Sequence, residues 1–108
     1  MITTDTTTLA SLIKTCFILS ADLDLSPDQR KAFLVAGKQL RGSLVNLLSA
    51  TFQDGTQAVL DTNKKLNQIN QQTAQLTKNL TKADEVLNQV NGLVGVLDGL
   101  LKLSNRLA

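Results

Sequence analysis

The sequence predicts an all-α fold, a helical hairpin in which a long C-terminal helix packs against two shorter helices. The first observation is the periodicity of residues 59–108, where mostly apolar residues recur in alternating steps of three and four. This spacing places them on one stripe of an α-helix, as in a coiled coil. The second is the absence of proline from residues 56–107. The third is the sequence Ser-Pro-Asp-Gln at residues 26–29, which is typical of a helix N-terminus.

The first short helix is expected over about residues 9–20, after a loose N-terminus at residues 1–7. Threonine and aspartate dominate this N-terminus, and both favour caps over helix interiors. Thr7 or Thr8 is the expected N-cap. The apolar residues that follow repeat with helical spacing, so they fall on one side of the helix.

The second short helix is expected over about residues 27–52. Ser26 and Gln29 form a predicted capping box, in which each side chain bonds to the backbone N–H of the other residue. The apolar face of this helix is broad, which is typical of a bundle interior. Gly37 and Gly42 inside it each lower helix stability by about 1 kcal/mol relative to alanine. We therefore expect a neighbouring helix to pack closely against them.

The long C-terminal helix, over about residues 56–107, follows a predicted turn at residues 53–55, Gln-Asp-Gly. As one straight helix it would extend for about 75–80 Å, further than the second helix can cover. A compact four-helix bundle is the alternative, with the long helix broken near Thr81 or Gly92. The spacing of the apolar residues continues in phase through both Thr81 and Gly92, and it therefore favours the continuous helix.

The two halves of the long helix differ in the apolar surface that they present. Up to Ala83 the stripe is narrow, and it is flanked by Asn, Gln, Thr and Lys. Thr62 and Thr73 lie in the stripe, where a hydroxyl can bond to the preceding helical turn. From Val86 onward the apolar face broadens, and it needs cover on more than one side.

We expect the rest of the chain to be too short to cover the broad apolar face of the C-terminal half. The sequence therefore predicts that this face forms an interface. The stripe would pair with helices of a second copy or of a helical protein partner, in parallel or antiparallel fashion. The predicted interface residues are Leu66, Ile69, Leu76, Leu80, Leu87, Val90, Leu93, Val94, Leu97, Leu100 and Leu101.

The length and charge of the chain limit its possible domain organisation and binding partners. The 108 residues make a single all-helical domain, residues 1–108, with a formal net charge of +2. Basic residues dominate residues 29–83, which favours a solvated face and leaves contact with anionic lipid or nucleic acid as the alternative. Specific nucleic-acid binding is not expected, because the sequence has no zinc finger, aromatic stacking platform or recognition-helix signature.

Catalysis, metal binding and cofactor binding are not expected. The chain has no histidine and one cysteine, Cys16, which excludes Ser–His and Cys–His pairs and zinc sites built on these residues. Gly92, Gly95 and Gly99 fall inside an apolar helical pattern, and no glycine-rich phosphate-binding loop occurs. Cys16 itself lies among apolar residues and is expected to be buried.

Three functions are compatible with the sequence, and the first is favoured. It is a structural or interaction protein that acts through helix–helix association. The second is a membrane-active amphipathic protein, such as a pore component or a peripheral binder, which rests on the apolar residues 86–103 and the basic residues before them. The third is a small exported subunit of a filament or a secretion system. No convincing signal peptide or transmembrane helix is recognised, which favours a cytoplasmic location.

Overall fold

The computed structural model describes residues 3–52 and 56–106, and its long elements are all α-helices. This confirms the predicted all-α fold class. Ala50–Thr51 (β1) pairs antiparallel with Asn105–Arg106 (β2), and a single 3₁₀ turn lies at Leu80–Lys82. The helices of the described residues are Thr6–Ser20 (α1), Pro27–Leu47 (α2), Thr56–Leu76 (α3) and Ala83–Lys102 (α4).

The N-terminal end of α1 begins earlier than the sequence predicts. Asp5 is the N-cap, where a later threonine was expected, and its side chain accepts from the Thr8 N–H at 3.0 Å. The Asp5 N–H donates to Asn63 Oδ1 on α3 at 2.8 Å. Residues 3–7 are therefore tied to the bundle, and the predicted loose N-terminus is wrong for them. Residues 1 and 2 lie outside the described residues.

The start of α2 agrees with the prediction, and its end does not. The Ser26 N–H donates to Gln29 Oε1 at 3.0 Å and the Gln29 N–H donates to Ser26 Oγ at 3.1 Å, which confirms the capping box. The predicted C-terminal end is wrong, because α2 ends at Leu47. The chain then pairs with β2 and buries Phe52, which is 1% exposed. The predicted turn at residues 53–55 lies outside the described residues.

The long C-terminal helix is not continuous, and this corrects the favoured architecture. After Leu76 the chain turns, and the Asn79 N–H donates to Leu76 O at 3.1 Å. Asn79 has an extended backbone, and its side chain accepts from the Thr81 N–H at 3.2 Å, which caps the 3₁₀ turn. The break thus falls beside Thr81, whereas α4 continues through Gly92. The alternative architecture, a compact four-helix bundle, is the one observed.

The described helices form a closed ring in which each helix packs against two others. α1 packs against α2 and α3, and α4 packs against the same two helices. The bundle measures 44 × 23 × 19 Å. Side chains from every helix meet in one core, which includes Leu12, Phe33, Leu66 and Val90.

The apolar stripe of the sequence faces this core. Leu66, Ile69 and Leu76 on α3 are buried, and so are Thr62 and Thr73. Each threonine hydroxyl donates at 2.7 Å to the carbonyl four residues earlier, as predicted. Because both hydroxyls are satisfied within the helix, they enter the core without leaving an unpaired polar group.

Gly37 allows α1 to approach α2 closely. A Cβ added at Gly37 would lie 2.9 Å from Cε1 of Phe17, well inside the contact distance of two carbon atoms. A Cβ added at Gly42 would have no atom within 4 Å. The expected close packing is therefore confirmed at Gly37 and wrong at Gly42.

Replacing each of these two glycines by alanine should separate helix propensity from packing. Gly42→Ala should raise the free energy of unfolding by about 1 kcal/mol, because it adds only helix propensity. Gly37→Ala gains the same propensity but displaces Phe17, so it should be less stable than Gly42→Ala by about 1 kcal/mol or more. Urea unfolding measures this difference, and equal stabilities would contradict the close approach at Gly37.

Asp5→Ala should lower the free energy of unfolding by about 1 kcal/mol, because α1 loses its N-cap. Hydrogen bonds from the Thr8 side chain and backbone hold the pKa of Asp5 below its usual value. The ionised carboxylate therefore stabilises the fold above the pKa of the unfolded chain, and this stabilisation is lost as the pH falls through the lowered pKa. Urea unfolding at several pH values should show the difference between wild type and variant shrinking in acid. A difference independent of pH would contradict this role of Asp5.

Candidate functional site

The predicted interface residues lie inside the bundle. Residues 77–82 turn the chain back, so α2 and α3 cover the apolar face of α4. The premise that the chain is too short to cover this face is therefore wrong, and exposed residues have to supply any association surface. Leu80 and Val94 are partly buried, and the other predicted interface residues are buried: Leu66, Ile69, Leu76, Leu87, Val90, Leu93, Leu97, Leu100 and Leu101.

The apolar segment that suggested membrane activity is covered in the same way. Val86, Val90 and Leu97 of α4 face the core. Leu103, which is 56% exposed, is the large apolar side chain that residues 86–103 leave on the surface. Among the described helices, none combines the length and apolar character needed to cross a membrane.

Large exposed apolar side chains occur together on α2 and at its C-terminal end. Leu34, Val45 and Leu48 are 37%, 63% and 67% exposed. Lys38 and Arg41 lie between them, and the steps of four and three place all of these residues on one side of the helix. We call the row of Leu34, Lys38, Arg41, Val45 and Leu48 the α2 outer stripe.

The centre of the α2 outer stripe is positively charged and is held in place by α1. The Arg41 guanidinium carbon lies 5.5 Å from the centroid of the Phe17 ring, which is a cation–π distance. Phe17 in turn packs against Gly37. Beyond Asp28, α2 contains no carboxylate, and its basic residues are Arg30, Lys31, Lys38 and Arg41.

A groove runs between α3 and α4, and we call it the α3–α4 groove. It consists of two adjoining cavities of about 350 and 320 Å³, which share Gln72 of α3 and Gln89 of α4. Further amide groups of α3, those of Gln68 and Gln75, line its wall. The apolar part of the lining comes from the buried residues Ile69, Leu76, Val86 and Leu93.

Gln89 lies where the two cavities of the α3–α4 groove meet. Its Oε1 atom is buried and accepts no hydrogen bond from the part of the chain that the structure describes. A buried polar atom without a partner costs about 1–3 kcal/mol. Gly92 lines the same groove, and no atom lies within 4 Å of a Cβ built on it. The groove is therefore open above α4, and Gln89, which lines it, has an acceptor that no described residue uses.

Metal-ligating and nucleophilic side chains are not clustered among the described residues. Over residues 3–52 and 56–106, no three His, Cys, Asp or Glu side chains come together to hold a metal ion. Cys16 is fully buried in α1, as predicted, and burial raises the pKa of its thiol to about 12. A protonated, buried thiol is a poor nucleophile. That the protein is not an enzyme stays a prediction.

Signals for both surfaces exist in the sequence, but they lie beside the core faces. The α2 outer stripe has the same spacing of three and four as the buried face of α2. On α3, Gln68, Gln72 and Gln75 repeat with that spacing beside the buried stripe. The glutamine row has the composition of an ordinary solvated flank, whereas the α2 row combines apolar and basic residues at the spacing of a core face. Only the positions of the neighbouring helices show which rows are buried and which are exposed.

Comparison with known proteins adds no functional assignment. No protein-family model, no curated protein and no solved structure matches this chain. The α2 outer stripe and the α3–α4 groove are therefore the features from which a function can be argued.

Cys16 should stay protonated and unreactive while the protein is folded. A chromogenic disulfide reagent at about pH 8 should label it only on unfolding, because the thiolate is the reactive form. Since burial raises the thiol pKa from 9.0 to about 12, the stability linked to the neutral thiol is present below 9.0 and is lost as the pH rises towards 12. Wild type should lose stability relative to Cys16→Ala over that range. Rapid labelling of the native protein would contradict the burial of this thiol.

Proposed function

We propose that the protein acts by helix–helix association, and that the α2 outer stripe docks an acidic amphipathic helix of a partner protein. The observation that carries this proposal is the arrangement of the stripe, in which exposed apolar side chains flank Lys38 and Arg41 along one side of α2. From Leu34 to Leu48 the stripe extends for about 21 Å at the rise of an α-helix. A partner helix of about four turns matches that length, and side-chain rows of two helices interlock.

The apolar residues of the stripe supply part of the attraction. Val45 and Leu48 are more than half exposed, although the opposite side of α2 buries Phe33 and Leu40 completely. Fully burying a valine or leucine side chain contributes about 1.5–3 kcal/mol, and these side chains, already partly covered, each contribute a part of that. Leu34, Val45 and Leu48 therefore supply only part of the attraction needed against the entropic cost of binding, and contacts of Lys38 and Arg41 add to it.

The charge of the stripe selects the partner. Lys38 and Arg41 lie at its centre, and α2 has no carboxylate after Asp28 to neutralise them. A helix with glutamate or aspartate beside its apolar row complements this pattern, and complementary charge favours the correct partner over others. Two copies of this chain joined symmetrically through the stripe would place like charges against each other, so a second copy is the less favoured occupant.

Arg41 is suited to act as an anchor. Its guanidinium group lies over the Phe17 ring, and Gly37 lets that ring pack against α2. A side chain that is already ordered loses less entropy on binding. Arginine is also enriched among the residues that dominate binding energy in protein interfaces.

A membrane of anionic lipid is the second candidate, because the same stripe offers apolar and positive groups together. We favour a protein helix, since the stripe contains no aromatic residue of the kind that settles at a membrane interface. Phe33 and Phe52 are buried in the core. The hypothesis of an exported subunit stays a prediction, as no described contact bears on it.

The test uses a synthetic helix with leucine at its a and d positions and glutamate beside them, titrated into the protein by calorimetry. Val45→Glu should weaken binding about tenfold or more, equivalent to about 1.4 kcal/mol, because it places a carboxylate against the glutamates of the probe. Val35→Glu is the matched control. Val35 is 46% exposed on the same helix, and it lies about 80° round the helix axis from Val45.

Val35→Glu should bind the probe almost as wild type does, although both variants change the net charge equally. Equal weakening by the two variants would show that only overall charge matters, and would contradict the stripe. Vesicles of phosphatidylserine and phosphatidylcholine provide the comparison with lipid. Vesicle binding that Val45→Glu abolishes, without binding of the acidic helix, would replace the proposal by the membrane function.

A further inference from the structure

We infer that the α3–α4 groove is a second binding site, which takes a short extended peptide segment with an acidic residue at the Lys65 end. This inference does not depend on the α2 outer stripe. The groove is lined by α3 and α4, whereas the stripe lies on α2 next to α1. A segment bound there would be recognised through its backbone and through alternate side chains.

The length of the groove fits a short extended chain. Its lining runs from Lys65 on α3 past Gln75 to Asn79 in the turn before α4. The ten helical steps from Lys65 to Gln75 extend for about 15 Å along α3, and the turn adds to this. An extended chain rises about 3.3 Å per residue, so about five or six residues fill the groove.

The amide groups of the wall favour an extended backbone over a helix. Gln68, Gln72 and Gln75 project from α3 at steps of four and three, and Gln89 approaches from α4. Each amide side chain offers both donors and an acceptor. An extended segment has free N–H and C=O groups to pair with them, whereas a helix uses its own backbone groups internally.

The amide oxygen of Gln89 has no partner among the described residues, and its side chain can turn towards a bound segment. Gln89 lines both cavities, and its Oε1 atom is buried and receives no hydrogen bond from the described residues. Turning this side chain into the groove therefore breaks no hydrogen bond to Oε1, and a backbone N–H of the segment would then satisfy the atom. Ile69 and Leu93 are buried, so Val96, which is partly exposed, provides accessible apolar lining for a side chain of the segment. Residues of an extended chain point alternately to opposite faces.

Charge sets the direction of the segment. Lys65 is the charged residue of the cavity that Gly92 and Val96 line. At the other end Lys82 is accompanied by Glu85, so the charge there is balanced. A carboxylate of the ligand is therefore favoured at the Lys65 end.

The probe is the acetylated and amidated hexapeptide Val-Ser-Val-Ser-Val-Glu, and binding to the full chain is followed by nitrogen-15 NMR. Shifts should cluster on residues that line the groove, including Gln72, Gln89 and Gly92. The same peptide with lysine in place of glutamate should bind several-fold more weakly. Absence of groove shifts up to millimolar peptide, or equal binding of both peptides, would overturn the inference.

Two glycine variants form a matched pair. Gly92→Leu fills the groove and should weaken binding of the hexapeptide tenfold or more. Gly95→Leu introduces the same side chain on α4 outside the residues that line the groove, and it should bind as wild type does. Neither glycine has an atom within 4 Å of an added Cβ, so both variants should fold. Equal loss in both would overturn the inference.

Gln89→Met separates a binding role from a structural one. It removes the buried acceptor and keeps similar volume, so it should weaken peptide binding while raising the midpoint of urea unfolding. A lower midpoint would show that Gln89 supports the fold, and would overturn its role as a ligand acceptor. Val45→Glu should leave hexapeptide binding unchanged, which distinguishes failure of this site from failure of the α2 outer stripe.

Discussion

The structure depends on covering the apolar face of α4 within the same chain. Val86, Val90, Leu93 and Leu97 form a face that needs cover on more than one side, and α2 and α3 supply it. This is possible only because the chain reverses after Leu76. Without the reversal α3 and α4 would form one rod, whose apolar surface no other part of the chain could enclose.

The same reversal determines which surfaces are left for function. It places the apolar stripe of the C-terminal half in the core, and it brings α3 beside α4 so that their amide-rich flanks line one groove. α2 packs against α1 and α4 with one side and leaves the other to solvent. The exposed apolar and basic groups of α2 then depart from an ordinary solvated helix surface.

The sequence predicted best where a short-range interaction decides the structure. The capping box of Ser26 and Gln29 and the hydroxyl bonds of Thr62 and Thr73 each depend on residues within one helical turn. The core face of each helix was also predictable, because helical periodicity fixes which residues share a side. The N-cap of α1 was not, since Asp5 is stabilised partly by Asn63 and Asn67 of α3, which are distant in sequence.

Periodicity could not decide which helices cover the stripe or where the long helix ends. A row such as Leu66, Ile69 and Leu76 has the same spacing whether its neighbour belongs to the same chain or to another. The phase of the row continues through the break, so the spacing of the apolar residues does not mark it. The competing local signal, the Asn79 side chain that caps the 3₁₀ turn, is weak in isolation, because one such hydrogen bond contributes only about 1 kcal/mol. The width of the α3–α4 groove depends on how these helices pack, and side-chain spacing does not encode it.

An electron-spin distance measurement tests the reversal between α3 and α4 most directly. Spin labels at Gln57→Cys and Lys102→Cys, both exposed positions, mark the far ends of the two helices. In the bundle these ends lie at the same end of the molecule, so their separation should fall well below its 44 Å long axis. A single distance near 65–70 Å, about the length of one continuous helix over these residues, would contradict the account.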